Sequence, residues 1–477
     1  MTQELAEYLY EIIETMEVLV SDNEQDLQTS EVIYRSNKCE NYDYDSILNT
    51  YLLDNDEYDP NCIEIDQNRE INEEISREAK EDVILSEIEQ GDMYKQALEI
   101  LEKEEDVRGS SHYTTDSDVP SMIPSDVLLE RFVSESLDRI LEAESNELEE
   151  RDKTTLVSSL TREIEIPRIE YDTTIWVYGV GAEFESADIG NGWTIEQPVA
   201  EDLESEYKLD DNTITHLNLN PLRPPTLKIR HSTRGRRISD ISSENDVILS
   251  LLRLYMTSSV VVVGNKFTPE LSFRPSYHNW SNITNRETRV SAILEEGDGE
   301  YISSMVDAIE QPVRDHIHQS SDRNHLKIAF DRYTDSTTEG DSPEEEIALS
   351  IMALEALYLR ENEEGELSHR LAQRASLLLG YLDYEPLEVY NRINSGYSVR
   401  SSYVHGSENS DDFSTDLAMR TPNFARKSII LFLQMESEYG KSSFINKIDN
   451  AIMSSNARDQ FEDEIKDTCD YLPLKEH

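Results

Sequence analysis

Apolar residues recur at helical spacing towards both ends of the chain and at strand-like spacing in the middle. Near the N-terminus, Leu5, Leu9, Ile12, Met16 and Leu19 share one face of a helix expected over 3–20. Similar patterns occupy 71–104 and 125–150, where Ser125 caps a run carrying Leu128, Phe132, Ile140 and Leu141. The stretches 36–68 and 109–124 read as loops.

From 165 the pattern changes to strands: Thr173 to Phe184, Trp193 to Glu196, Thr213 to Leu219 and Thr226 to His231. A helix over 244–257 follows, then a strand at Val260 to Val263 and another at Thr288 to Leu294. Gly179-Val180-Gly181 lacks the third glycine and the following helix of a dinucleotide fingerprint, so it reads as a turn or bulge.

Helical spacing returns at 300–319 and 324–334. Ser342-Pro343-Glu344-Glu345 is a capping box with proline at the first helical position, opening a helix that carries Ile347, Ile351, Leu354 and Tyr358. A second helix carries Leu367, Leu371, Ala375 and Leu378, and Gly380 stops it. A third starts near Pro386 with Leu387, Tyr390 and Ile393, with a break expected at Ser395-Gly396. A fourth begins at Thr421-Pro422 and buries Phe424, Ile429, Leu431 and Phe432. Helices with such short connections make a bundle. The expected architecture is multidomain α+β. A mainly helical, partly disordered acidic region spans 1–160, a β-rich domain 161–298, an all-α bundle 299–455 and a C-terminal tail 456–477.

Within the bundle stands Arg400-Ser401-Ser402-Tyr403-Val404-His405. Arginine stays protonated and matches phosphate geometry, and histidine exchanges a proton near neutrality, which together equip a site for cleaving an RNA phosphodiester. With 10 histidines in 477 residues, roughly 0.6 Arg–His pairs at this spacing arise by chance, so the surrounding helical frame carries the signal. Five residues of helix turn about 140° and rise about 7.5 Å, so the two side chains do not stack. They converge only if the helix ends near His405 or a second protomer supplies part of the site. The alternative is a structural pair: a histidine on the last helical carbonyls and an arginine on a surface carboxylate.

The ordered blocks Ala353-Leu354-Glu355-Ala356-Leu357-Tyr358, His369-Arg370-Leu371-Ala372-Gln373-Arg374-Ala375, Val399 to Gly406 and Phe424-Ala425-Arg426-Lys427 resemble the HEPN superfamily, and within it the Apea-like HEPN domains. The resemblance covers 345–440. It implies an antiparallel helical bundle that dimerises, bringing two Arg–His motifs to a shared cleft. It further implies a metal-independent endoribonuclease with Arg400 and His405 catalytic and Ser401 and Tyr403 supporting. No cofactor is implied, and stress response or antiviral defence is the expected setting. Other members bind RNA or act as scaffolds without activity. The residue after the arginine is often Asn, Asp or His in active members; Ser401 hydrogen-bonds but supplies no charge.

Net charge is −57, from 100 acidic and 43 basic residues. Residues 1–150 alone carry 43 acids against 10 bases, more than half of that charge. Acidity with persistent apolar periodicity suits a cytosol of very high salt; an acidic disordered protein is the looser alternative. Such a charge normally argues against nucleic acid, but in molar salt the Debye length is ~3 Å and only contact-range charges are felt. Cys39, Cys62 and Cys469 form no CxxC pair, which fits a reducing compartment and argues against a zinc site or a disulfide scaffold. No apolar run is long enough to span a membrane, and Glu4, Glu7 and Glu11 replace the basic start of a signal peptide, so a cytoplasmic protein is expected.

Lys228, Arg230, His231, Arg234, Arg236 and Arg237 form the one basic concentration. Five of them (Lys228, Arg230, Arg234, Arg236 and Arg237) are candidate RNA-phosphate contacts; the alternative is cations paired to nearby carboxylates. His316, His318 and His325 suggest a metal site only superficially, because alternate residues on a helix point apart. Glu355 and Arg374 are expected to pair across adjacent helices. No P-loop, nucleophile elbow or HExxH occurs.

Overall fold

In the computed structural model the described residues are 2–22, 75–103, 125–143, 145–165, 169–199, 225–235, 238–270, 273, 276–280, 292–319, 324–338, 340, 342–406 and 415–469. Five helices come first: α1 (Thr2–Asp22), α2 (Ile75–Gln90), α3 (Asp92–Lys103), α4 (Ser125–Glu142) and α5 (Glu150–Glu165). The apolar stripe of α1 buries Leu9, Ile12 and Met16 against Leu101, Phe132 and Leu160 in a core of its own. Gly91 divides the segment expected over 71–104 into two helices. Helix α5 was not expected from the pattern. Glu17 fastens its start to α1 by accepting from the Leu148 N–H at 2.8 Å and from Lys153 at 2.6 Å.

The eight described strands are β1 (Ile169–Tyr178), β2 (Val180–Ala182), β3 (Ser186–Asp188), β4 (Trp193–Glu196), β5 (Leu227–Gly235), β6 (Val261–Pro269), β7 (Tyr277–Trp280) and β8 (Ala292–Leu294). Six form an antiparallel sheet in the order β3-β4-β5-β1-β6-β7, while β2 and β8 pair in parallel. Alternation along β1 and β5 sends Ile175, Val177, Leu227 and Ile229 inward to the core shared with helix α6 (Ile238–Tyr255). The strand expected over Thr173–Phe184 is two strands, turned at Gly179. That residue has φ +98°, and a Cβ there would lie 2.0 Å from the Ser259 carbonyl oxygen. The strand expected at Thr213–Leu219, and all but the last residues of the one at Thr288–Leu294, lie outside the described residues. Phe273, between β6 and β7, is buried in the N-terminal core with its ring 5.6 Å from that of Phe132.

The C-terminal part is all helical: α7 (Asp298–Val313) with a π-turn at Arg314–His318, α8 (His325–Thr338), α9 (Pro343–Tyr358), α10 (Leu367–Gly380), α11 (Pro386–His405), α12 (Thr415–Tyr439), α13 (Lys441–Met453) and α14 (Ser455–Cys469). Ser342 caps α9, its side chain accepting from the Glu345 N–H at 3.3 Å. Three expectations need correction. Helix α11 does not break at Ser395-Gly396. Gly396 is buried, and a Cβ there would come within 2.9 Å of Ile351 Cδ1, so this glycine lets α9 and α11 approach closely. Helix α12 starts before Thr421 and runs through Pro422, with the Thr421 hydroxyl donating to the Leu417 carbonyl at 2.6 Å. Where a tail was expected from 456, α14 packs Phe461 and Ile465 into the core.

That core is continuous from the sheet through the bundle. Arg426 of α12, 1% exposed, donates to the carbonyls of Leu254 at 2.8 Å and Tyr255 at 2.5 Å, the open end of α6. Tyr333 of α8 donates to the Arg253 carbonyl at 2.7 Å. Carbonyls that α6 leaves without helical partners are thus satisfied by the bundle.

Candidate functional site

Helix α11 lies on α9, with Gly396 at the close approach. One turn further on, Arg400 points to α9 and sets Nη2 3.0 Å from Glu355 Oε2. The guanidinium carbon lies 5.9 Å from the ring centroid of Tyr397, one turn back on α11. Arg400 Nε is enclosed without a hydrogen-bond partner, yet the side chain as a whole keeps 26% of its surface exposed. Burial pushes the Glu355 carboxyl above its usual range, and the Arg400 charge opposes that rise. Burial also raises the Tyr397 phenol, with the Glu355 charge adding to it.

His405 is the last residue of α11 and is exposed. Gly406 ends the helix at φ 62°, its N–H reaching the Ser402 and Tyr403 carbonyls. Ser401 and Ser402 are half-buried, while Val404 is exposed. The Tyr403 hydroxyl donates to Glu345 at 2.8 Å, tying the motif to the first turn of α9. A partly enclosed cation and an open imidazole therefore share the last turns of one helix. Such an arrangement can bind a phosphate and move a proton.

The expected Glu355–Arg374 pair does not form, because Glu355 faces Arg400. Arg374 donates instead to Glu363 at 2.6 and 2.7 Å, to Asp449 at 2.7 and 3.0 Å, and to the Tyr358 carbonyl at 2.7 Å. Arg360 also reaches both carboxylates. Hydrogen bonding from Arg374 pulls the Glu363 carboxyl down to about 2. Both Glu355 and Tyr397 were missed as partners of Arg400. Each had a signal: Glu355 is the sole charged residue between Glu346 and Arg360, and Tyr397 precedes Arg400 by one helical turn.

In the basic concentration, each described cation stands beside a carboxylate, while Arg230 and Arg234 stay largely exposed. Lys228 is buried 2.9 Å from Glu196, Arg230 lies 3.6 Å from the same carboxylate, and Arg234 lies 2.6 Å from Glu170. Strand register causes this, since Glu196 sits opposite Lys228 and Glu170 opposite Arg234. Arg236 and Arg237 lie outside the described residues. His231 points to the other face, stacked on Trp193 at 3.6 Å and within 2.9 Å of Asn245 Oδ1; burial lowers it to about 4.

His318 Nε2 lies 2.9 Å from Ser250 Oγ, and burial lowers this histidine too, to about 4. Ser250 is itself buried and also donates to the Asp246 carbonyl, so the contact braces α6 against the π-turn. Among the described residues no group of three or more His, Cys, Asp or Glu could hold a metal, and no helix is long and apolar enough to cross a membrane. No family model, curated protein or solved structure matches the chain.

Proposed function

We propose that the C-terminal bundle is a metal-independent endoribonuclease of HEPN type, with Arg400 and His405 as its chemical groups. The observation that carries this reading is the partly exposed Arg400 guanidinium and the exposed His405 imidazole on the last turns of α11. His405 takes the proton of an RNA 2′-hydroxyl or returns one to the 5′-oxygen. As the 2′-oxygen bonds to phosphorus, the bond to the 5′-oxygen breaks, and Arg400 stabilises the charge that develops on the phosphate. The products are a 2′,3′-cyclic phosphate and a 5′-hydroxyl, and DNA, lacking the 2′-hydroxyl, is not cleaved. A two-fold contact through the bundle would bring two motifs together. The acidity and the HEPN resemblance together favour the cytoplasm of a high-salt cell, in stress response or antiviral defence.

A second reading is a non-catalytic HEPN module that binds RNA or a partner protein or only dimerises. The engagement of Arg400 by Glu355 and the uncharged Ser401 favour it. The deciding experiment incubates the protein with mixed RNA in molar KCl plus chelator and analyses the product ends. Cyclic-phosphate ends from wild type, and none from His405→Ala, support the nuclease. Absence of cleavage, or full activity in His405→Ala, decides for the binding module. Sedimentation in the same salt reports whether a dimer forms.

A further inference from the structure

Arg400 has two edges that can meet an anion: the side-on fork of Nε with Nη2, and the end-on fork of Nη1 with Nη2. Glu355 takes Nη2 at 3.0 Å, and Nε is enclosed in protein, so the side-on edge is turned inward. The edge left for an incoming phosphate is the one bearing Nη1. The Tyr397 ring packs against the same guanidinium, which limits its rotation.

Glu355 is no surface carboxylate that could swing away. Its side chain is 16% exposed, and its helix offers no other charge between Glu346 and Arg360. Releasing Arg400 would strand a desolvated carboxylate, which is costly. The pair therefore stays intact when an anion arrives, and Glu355 does not compete with it.

We propose that Glu355 is the positioning residue of this site, holding the inner edge of the Arg400 guanidinium so that its outer edge meets the scissile phosphate. This inference rests on the endoribonuclease reading above. It names a residue that acts on the reaction through Arg400 without touching RNA.

The test is a double-mutant cycle in molar KCl on one defined RNA, by single-turnover kinetics, with thermal unfolding recorded for each protein. Glu355→Gln should lower the cleavage rate about 10-fold or more, as expected when a charge-stabilising group is misplaced by an ångström. In the Arg400→Ala background the same substitution should change nothing, because the group it positions is gone. If Glu355→Gln does not fold, Glu355→Met serves, since it places an apolar side chain on an apolar helix. Wild-type rates in the variant overturn the proposal, as does an equal loss in both backgrounds, which a merely structural role would produce. Those outcomes leave the nuclease reading standing. If wild type cleaves no RNA, that reading falls and this inference with it.

Discussion

Arg400 Nη2 lies 3.0 Å from Glu355 Oε2, joining the motif-bearing helix to the one charged residue in the long apolar run of its neighbour. The guanidinium thus has a carboxylate partner on the neighbouring helix. Substituting lysine should reveal whether its charge or its planar donor geometry matters more. A lysine ammonium can still meet Glu355, but as a point charge it cannot hold a carboxylate on one side and present a planar donor edge on the other.

Arg400→Lys is therefore expected to fold normally and to cleave RNA about 10²–10³-fold more slowly, the usual loss when one donor to a developing anion is removed. Circular dichroism alongside single-turnover rates checks both halves. Near-wild-type cleavage would show that charge alone suffices.

Arg374, Arg360, Glu363 and Asp449 form a second ionic system, one that serves the fold. Arg374 is 4% exposed, so Arg374→Ala should cost about 3–5 kcal/mol near neutral pH by leaving Glu363 without its main partner. The sign with pH follows from a carboxyl held down to about 2: its stabilisation is present above the ordinary carboxylate range and is lost as pH falls through 2. Denaturant unfolding at several pH values should show wild type and variant far apart at pH 7 and converging towards pH 2. A constant gap would show that Glu363 is not the carboxylate concerned.

His231 and His318 impose a different dependence. Each is lowered to about 4 by burial from an ordinary value of 6.5, so the unfolded chain binds more protons between those limits. Stability should be highest above 6.5 and fall as pH drops towards 4, by about 2–3 kcal/mol for the buried His231 and by less for His318, whose partial exposure screens it. His318→Gln keeps a partner for Ser250 and should flatten part of this slope. An unchanged slope would remove His318 from the account.

Local rules in the sequence reached the elements better than their mutual register. Ser342 and Pro343 marked the start of α9, and Gly179 marked a turn, because caps and positive φ depend on adjacent residues. Gly396 and Pro422 misled for the opposite reason. A neighbour's Ile351 makes the glycine a packing site, and the helix already begins at Thr415, so the proline lies inside it. Strand β3, of three residues, is too short to show an alternating pattern. The Arg–His motif was visible along the chain, but the carboxylate facing Arg400 is set by how α9 and α11 cross, which no spacing encodes. The same holds for the cations of β5, whose partners stand on strands distant in sequence.

Arg426 gives the chain an indivisible piece. A buried guanidinium rooted in α12 and spent on the last carbonyls of α6 makes each side the other's solvent. Cutting the gene just before α7 would therefore remove the Leu254 and Tyr255 carbonyls and leave the buried Arg426 guanidinium its bonds to Asn423. The sheet, α6 and the bundle therefore share one interior and cannot be divided at that point.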